Sequence, residues 1–236
     1  MKYDRIVKGV FIERPNRFVA MVAVDGEAVT AHVKNTGRCK ELLIPGATVY
    51  LQDFPGAMGG RKLRYSLVAV EKSGAIINVD SQAPNKLVAE ALRDRSLILP
   101  DMADLVEIKA EKTFQSSRFD FYLKDKSGRE GFLEVKGVTL EEDGIVRFPD
   151  APTERGIKHL KELISARKSG FYAGVIFVIQ MEKVTRFEPN YATHKEFGHW
   201  LKKAADEGVN VYAVNTKVTK DMLIIGDFIS VKLTND

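Results

Sequence analysis

The sequence predicts two structural units, a small all-β barrel followed by a larger mixed α/β domain. Three observations lead to this prediction. Short strand patterns separated by turn residues fill the first third of the chain, helical periodicity first appears after Pro84, and the surplus of positive charge lies entirely within residues 1–80. We therefore expect domains at residues 1–82 and 83–236.

The first part of the chain carries strand patterns in close succession. The predicted strands cover residues 7–13, 18–24, 28–33, 48–54, 64–71 and 75–79. Asp25-Gly26 and Ser73-Gly74 are typical turn dipeptides, and a helical turn is expected near Cys39. Twisted strands in such close succession, without a long amphipathic helix, favour a small closed barrel such as an OB-fold.

Helices and strands alternate in the second part. The predicted elements are a helix over 85–97 with Asn85 as N-cap, strands over 106–114, 118–124 and 131–137, a helix capped by Thr153 and ending near 168, a strand over 174–180, a helix over 193–207, and strands over 209–215 and 222–231. Within the strand predicted over 174–180, the run at 175–179 is apolar throughout, which is typical of a strand covered on both faces. This order predicts a mixed α/β core.

Composition narrows the class of protein. The only cysteine, Cys39, excludes an intramolecular disulfide and fits a reducing cytosol. The start of the chain lacks an apolar signal core, and the longest apolar run, at 173–179, is too short to span a bilayer, so we expect a cytoplasmic protein. Residues 1–80 carry 12 Lys/Arg against 8 Asp/Glu. This surplus indicates an anion-facing barrel, or equally a solvated surface.

A predicted hairpin brings acidic side chains together. If the turn at 125–129 centres on Ser127, Asp120 lies opposite Glu134, and Arg118 lies opposite Lys136. Directly opposed like charges destabilise a sheet. Two opposed carboxylates are therefore explained by a divalent cation between them.

The arrangement Asp120…Glu134-Val135-Lys136 resembles the PD-(D/E)xK nuclease superfamily, although Phe119 stands where that motif has proline. The alternative is a solvent-facing hairpin in which these residues are ordinary polar positions. Phe121, Tyr122 and Phe132 argue against this alternative, because they suit a buried sheet better than a solvated edge.

Longer motifs identify a narrower resemblance. The chain is similar to the sugar fermentation stimulation protein A family in Asn35-Thr36-Gly37-Arg38, Asn78-Val79-Asp80, the segments 85–92 and 117–121, Glu134-Val135-Lys136-Gly137, and above all the block from Phe148 to Leu160. The resemblance covers essentially the whole chain. It implies an N-terminal OB-fold, a C-terminal PD-(D/E)xK nuclease-like domain, DNA binding with little sequence preference, and a link to the regulation of sugar metabolism.

The resemblance also implies roles for individual residues. Asp120 and Glu134 would be metal carboxylates, the Val135 backbone carbonyl would add a third oxygen, and Mg²⁺ or Mn²⁺ would be the cation. Lys136 would position the attacking water or balance charge on the phosphate. Glu90, on the preceding helix, is a weaker metal candidate that either flanks the site or faces solvent.

Basic residues, a histidine and one asparagine supply the candidate nucleic-acid contacts. They are Arg17, Lys34, Asn35 and Arg38 in the barrel and Arg118, Arg155 and His159 in the second domain. Phe11 and Phe18 are stacking platforms or core residues. The alternative for Arg155 and His159 is a surface helix joined by Glu154–Lys158 and Lys158–Glu162 pairs. Gly156 suggests that some group approaches the backbone of this helix closely.

Two functions from different classes follow. One is a metal-dependent nuclease acting on DNA, or on RNA, through Asp120, Glu134 and Lys136. The other is a non-catalytic DNA-binding regulator with a vestigial site. A nucleotide-binding protein is disfavoured, because the sequence has no phosphate-binding glycine loop of known type. The oligomeric state stays open, with a homodimer among the alternatives.

Overall fold

The computed structural model describes residues 1–35, 37, 39–56 and 60–234. Its first part is a barrel of six strands: β1 (Ile6–Asn16), β2 (Val19–Val24), β3 (Glu27–Val33), β4 (Thr48–Asp53), β5 (Tyr65–Lys72) and β6 (Ala75–Asn78). The strand order is β3-β2-β1-β4-β5-β6. Parallel pairing of β3 with β5, through Ala31–Tyr65 to Val33–Leu67, closes the sheet. The predicted OB-fold-like barrel is confirmed.

The second part contains three helices and two sheets. Its elements are α1 (Ala83–Asp94), β7 (Leu105–Phe114), β8 (Ser117–Asp125), β9 (Glu130–Val138), β10 (Leu140–Glu142), β11 (Ile145–Phe148), α2 (Glu154–Lys168), β12 (Tyr172–Ile179), β13 (Arg186–Pro189), α3 (Tyr191–Asp206), β14 (Asn210–Val218), β15 (Leu223–Phe228) and β16 (Ser230–Val231). The main sheet has the order β15-β14-β12-β9-β8-β7, and the small one β10-β11-β13-β16. Strands β9, β12 and β14 run parallel. The predicted mixed α/β fold is confirmed.

The main sheet is covered on both faces. Leu133 and Val135 of β9 share a buried cluster with Leu87 of α1, whereas Phe132 belongs to the cluster that contains Leu160 of α2. Every residue of the central strand β12 is buried, as the apolar run predicted. The two helices therefore lie on opposite sides of the strand that carries Glu134.

Two helix starts bear on the site. Helix α1 begins at Ala83 rather than at Asn85, because Pro84 fits the first turn, where its missing N–H is not needed. The predicted N-cap is thus wrong, and Asn85 lies inside the first turn. Helix α2 begins as predicted, since the Thr153 hydroxyl accepts a hydrogen bond from the Gly156 N–H at 3.0 Å.

The N-terminal segment crosses to the second domain. The Tyr3 N–H donates to the Asp221 carbonyl at 2.7 Å, and the Leu223 N–H donates to the Met1 carbonyl at 3.0 Å. Residues ahead of β1 therefore fasten the barrel to the edge of the main sheet. None of the helices in the described ranges is long and apolar enough to cross a membrane.

Candidate metal and nucleic-acid site

The hairpin of β8 and β9 has the predicted register. Phe121 pairs with Leu133 and Tyr122 with Phe132, as a turn centred on Ser127 requires. The pairing stops at Phe121–Leu133, although β8 begins four residues earlier and β9 continues for five more. Asp120 lies where the two strands separate, and its carboxylate fills the opening.

The Asp120 carboxylate is held by a backbone N–H of β9 and by a side chain of α1. Its Oδ2 accepts a hydrogen bond from the Val135 N–H at 2.8 Å, and its Oδ1 accepts one from the Asn85 side-chain amide at 2.6 Å. Burial, and then the negative charge of Glu134, raise the pKa of the Asp120 carboxyl above its ordinary value. The charges of Asp120 and Glu134 therefore act on each other, although the strand pairing that the sequence predicted does not extend to this pair.

Glu134 is almost completely buried, with 2% of its surface exposed. Its Oε1 contacts both the Lys136 ammonium and His159 Nδ1. Burial alone would raise the pKa of Glu134, but the His159 hydrogen bond and the Lys136 charge outweigh burial and lower it. Glu134 is therefore a buried carboxylate that carries a negative charge at neutral pH.

The second oxygen of Glu134 has no partner among the described residues, although it is buried. A buried acceptor without a partner costs about 1–3 kcal/mol, so such an atom in a folded protein needs an explanation. The Val135 N–H faces Asp120, and a strand residue's carbonyl points to the same edge as its N–H. The Asp120 carboxylate and the Val135 carbonyl thus lie at this opening, and the Glu134 charge acts on Asp120, so the available oxygen atoms are of the kind that Mg²⁺ prefers. Within the described ranges, no three His, Cys, Asp or Glu side chains form a larger metal-binding group.

His159 lies beside Glu134, which differs from the prediction of a polar, phosphate-contacting position. It is only 5% exposed, and the ring of Phe119 packs edge-on against it at 6.0 Å. Its Nε2 accepts a hydrogen bond from the Arg155 Nε at 3.4 Å. Because a guanidinium can only donate, the ring proton lies on Nδ1, facing Glu134. His159 is therefore a hydrogen-bond donor to the candidate metal ligand, while Arg155 is exposed.

Glu90 does not reach the site, so its prediction as a metal ligand is wrong. Its carboxylate forms an ion pair with the Met1 amino group at 2.8 Å and is half exposed. Asn85 is the α1 residue that contacts Asp120. Five residues at 100° each place Glu90 about 140° away from Asn85 around the helix.

The structure explains why residue 156 is a glycine. A Cβ at this position would lie 2.9 Å from Thr153 Cγ2 and 3.1 Å from Phe197 Cε2. The groups that approach the backbone closely are therefore the capping side chain and α3, not a ligand. The predicted surface pairs of α2 do not form either. Lys158 donates to the Ser116 carbonyl at 2.8 Å, and Glu162 accepts from the Ser116 hydroxyl at 2.5 Å.

Among the candidate nucleic-acid contacts of the barrel, some side chains are exposed and others are bound to groups within the protein. Arg17 is exposed, whereas Lys34 is bound to the buried Asp80 carboxylate at 2.6 Å and is thereby removed from the surface. The Asn35 side chain accepts from the Gly37 N–H at 2.8 Å and shapes its own loop. Arg38 lies outside the described residues.

Three further candidates differ in their exposure to solvent. Arg118 is exposed and lies 3.4 Å from Glu111 instead of opposite Lys136. Phe11 is a core residue with 2% of its surface exposed, whereas Phe18 is 52% exposed. Among the predicted site residues, the structure thus places Asp120 beside Glu134 and leaves Arg17, Arg118 and Arg155 exposed, whereas the contact of Asn85 and the place of His159 were not predicted from the sequence.

Comparison with known families supports the fold assignment. Residues 12–79 match the family model described as the SfsA N-terminal OB domain, and residues 82–222 match that of the sugar fermentation stimulation protein RE domain.

Similar proteins cover the whole chain. A sugar fermentation stimulation protein homolog of Clostridium beijerinckii is 53% identical over 99% of this chain and 100% of its own length. One from Desulfitobacterium hafniense is 50% identical over 99% of each chain. The structure of Pyrococcus furiosus SfsA in complex with Ca²⁺ is similar with a TM-score of 0.87 and 29% identity, over 98% of both chains.

Proposed function

The chain belongs to the sugar fermentation stimulation protein family, and we propose that it binds DNA with little sequence preference and hydrolyses phosphodiester bonds with a bound Mg²⁺ or Mn²⁺. The observation that carries this proposal is the buried, unpartnered Oε2 of Glu134 beside the Asp120 carboxylate. A divalent cation would satisfy that oxygen and balance the two acids.

The residues that would hold the cation are Asp120, Glu134 and the Val135 carbonyl. When bound, such a cation polarises the scissile phosphate and lowers the pKa of the attacking water. Asn85 orients Asp120 through its amide, and His159 orients Glu134. The Pyrococcus furiosus relative was solved with Ca²⁺, which takes the same kind of oxygen ligands as Mg²⁺.

Lys136 has a separate part in this proposal. Its ammonium contacts Glu134, and its side chain is 19% exposed, so it reaches from the buried acid toward solvent. A cation at this place can bind the attacking water or a phosphate oxygen and balance negative charge that develops there. Exposed Arg118 and Arg155 would hold the flanking phosphates.

We also propose that the protein works in the cytoplasm. The free thiol of Cys39 is buried, and burial, with Glu41 and Asp150 nearby, raises its pKa to about 12. A protonated, buried thiol is inert, which fits a structural residue in a reducing compartment.

One observation favours the second candidate, a DNA-binding regulator without catalysis. Lys136 and His159 both contact Glu134, so the acid already has charge and hydrogen-bond partners without a cation. Phe119 in place of the motif's proline is a further departure from the nuclease pattern. On this proposal, Asp120 and Glu134 would be remnants that shape the hairpin.

A cleavage assay separates the two candidates. Labelled single-stranded, duplex and branched DNA and RNA would be incubated with Mg²⁺, Mn²⁺ or EDTA. We expect metal-dependent cleavage that Glu134→Ala and Asp120→Asn abolish, with weaker Mn²⁺ binding by calorimetry and DNA binding largely retained.

Glu90→Gln is the matched control, because this acid lies on the adjoining helix outside the site, and it should cleave like the wild type. Unchanged cleavage in Glu134→Ala would exclude this site. DNA binding without cleavage of any substrate would establish the regulator.

A further inference from the structure

Phe18 is an exposed aromatic ring on a fixed piece of backbone. Its N–H donates to the Asn16 side chain at 2.9 Å, and its carbonyl accepts from the Val33 N–H at 2.8 Å. Of the exposed large hydrophobic side chains in the described part of the chain, only Phe18 and Phe228 are aromatic. Phe228 packs on Tyr212 at 5.6 Å, so Phe18 is the one that faces solvent without an aromatic neighbour.

A groove of about 440 Å³ lies next to the Phe18 ring. Its floor includes Val19 and His32, which are directly opposed on β2 and β3, and Leu63 forms one wall. Burial, then Arg61 and Lys34 nearby, lower the pKa of His32, so the imidazole is uncharged near neutral pH. The groove is thus mainly apolar, which suits an uncharged group.

Cations surround this groove. The Arg17 guanidinium lies 6.0 Å from the centre of the Phe18 ring, Arg61 and Lys62 also line the groove, and none of the described lining residues is acidic. Arg61 is held in place, because its guanidinium stacks on Phe54 at 3.7 Å and donates to the Ser66 hydroxyl at 2.6 Å. The apolar groove, called the slot below, therefore has positively charged residues along its rim.

We propose that this slot binds an unpaired nucleobase on the Phe18 ring while Arg17, Arg61 and Lys62 contact the flanking phosphates. The inference rests on the proposed DNA binding and narrows its substrate class to nucleic acids with a single-stranded segment. A paired base inside a duplex has both faces covered by its neighbours, whereas an unpaired base can stack on an aromatic side chain. Duplex alone would meet only the positive rim.

Equilibrium binding tests this proposal. Fluorescence anisotropy in EDTA, where no metal-dependent cleavage intervenes, would compare a short single strand, the same strand with abasic sites, and the matching duplex. We expect Phe18→Ala to weaken single-strand binding about 10-fold, since stacking contributes roughly 1–3 kcal/mol per base. Its affinity for duplex should change less than about twofold, because the cationic rim remains.

Phe18→Trp gives a direct readout. In a Trp200→Phe background the new indole is the only tryptophan, because the chain has one. Its fluorescence should be quenched by the single strand, and clearly less by the abasic strand or the duplex. Phe228→Ala is the control for loss of an exposed phenylalanine and should bind like the wild type.

The outcomes are distinguishable. Equal affinity of Phe18→Ala and wild type for the single strand, or equal losses for single strand and duplex, would overturn the slot while leaving the nuclease proposal intact. A wild-type protein that binds neither form would instead overturn the proposed DNA binding itself.

Discussion

Two donors share one oxygen of Glu134 and leave the other oxygen for a different partner. Lys136 and His159 both contact Oε1, while the buried Oε2 has no partner among the described residues. His159 is fixed in turn by Arg155 and by the Phe119 ring. His159 is therefore a positioning residue, because it acts on the carboxylate and does not need to touch a substrate.

Replacing His159 tests this role. In His159→Leu the Glu134 carboxylate loses a donor in a buried site, which costs about 1–3 kcal/mol of unfolding free energy. The freed carboxylate can rotate, so we expect weaker Mn²⁺ binding as well. Urea denaturation and calorimetric Mn²⁺ titration measure the two effects.

His159→Asn is the matched variant, because a side-chain amide can still donate to Glu134. It should recover most of the Mn²⁺ affinity, even where stability stays low. Mn²⁺ affinity of His159→Leu equal to that of the wild type would show that His159 has only a packing role.

Residue positions within one hairpin can be predicted from sequence, but contacts from packed helices cannot. The two-residue period of strands and the symmetry of the turn place Asp120 near Glu134 without any tertiary information. The contacts of Asn85 and His159 depend on how α1 and α2 pack on the two faces of the sheet. That packing is a long-range property, and local periodicity does not contain it.

The glycine in the first turn of helix α2 is explained by close packing and not by a need for backbone flexibility. The first turn of α2 packs so closely on α3 that a methyl group at Gly156 would meet Thr153 and Phe197. The glycine keeps the capping hydroxyl of Thr153 and the ring of Phe197 in contact with the helix backbone. This close approach brings the Arg155–His159 turn over β9, where it reaches Glu134.

The Gly156→Ala variant distinguishes the effect of intrinsic helix propensity from the effect of close packing around residue 156. In an exposed helix this change would stabilise by about 1 kcal/mol. Here we expect the melting temperature to fall by at least about 2 °C, because the new Cβ would lie 2.9 Å from Thr153 Cγ2. Thermal denaturation followed by circular dichroism measures the change.

Thr153→Ser keeps the capping hydroxyl and removes the obstructing methyl group. In the double variant with Gly156→Ala, part of the lost stability should return. A higher melting temperature for Gly156→Ala alone would contradict the packing explanation.

Long elements were predictable, whereas the short strands of the small sheet were not. The amphipathic pattern of α2 and the apolar run of β12 extend over many residues, so periodicity identifies them. Strands β10, β11 and β13 have only three or four residues each and had no predicted counterpart. They form because β11 pairs with β13 from a distant part of the chain. The backbone hydrogen bonds of this pairing stabilise strands that are too short to show a strand pattern in their own sequences.

The two domains are joined through a buried polar network. Gln180, at the end of β12, donates to the Asn78 side chain at 2.8 Å and to the Asp80 carbonyl at 3.1 Å. Asp80 is fully buried, and its carboxylate binds Lys34 at 2.6 Å and the Tyr3 hydroxyl at 3.3 Å. The order of the domains could be predicted from sequence, but this junction could not, because its members lie far apart along the chain.

From this junction we predict that the Lys34–Asp80 ion pair of the barrel controls the stability of the whole molecule. Asp80→Ala would leave Lys34 largely buried without its partner, which costs about 3–5 kcal/mol. For a chain of this size the melting temperature should fall on the order of 10 °C. Because the Asp80 carboxylate also accepts a hydrogen bond at 3.0 Å from the N–H of Gln82, which caps α1, we expect both domains to lose stability together in calorimetry.

Asp53→Asn is the matched control for that prediction. Asp53 binds Arg64 at the same 2.6 Å, but the arginine side chain is 54% exposed, so solvent screens the pair and Asp53→Asn should lower the melting temperature much less. Lys34→Met combined with Asp80→Ala should be less destabilised than the sum of the two single variants, because neither charge is then left alone. Equal effects of Asp80→Ala and Asp53→Asn would mean that the domains are held together by apolar contacts, and the polar network would then have no part in fixing the barrel beside the acidic site.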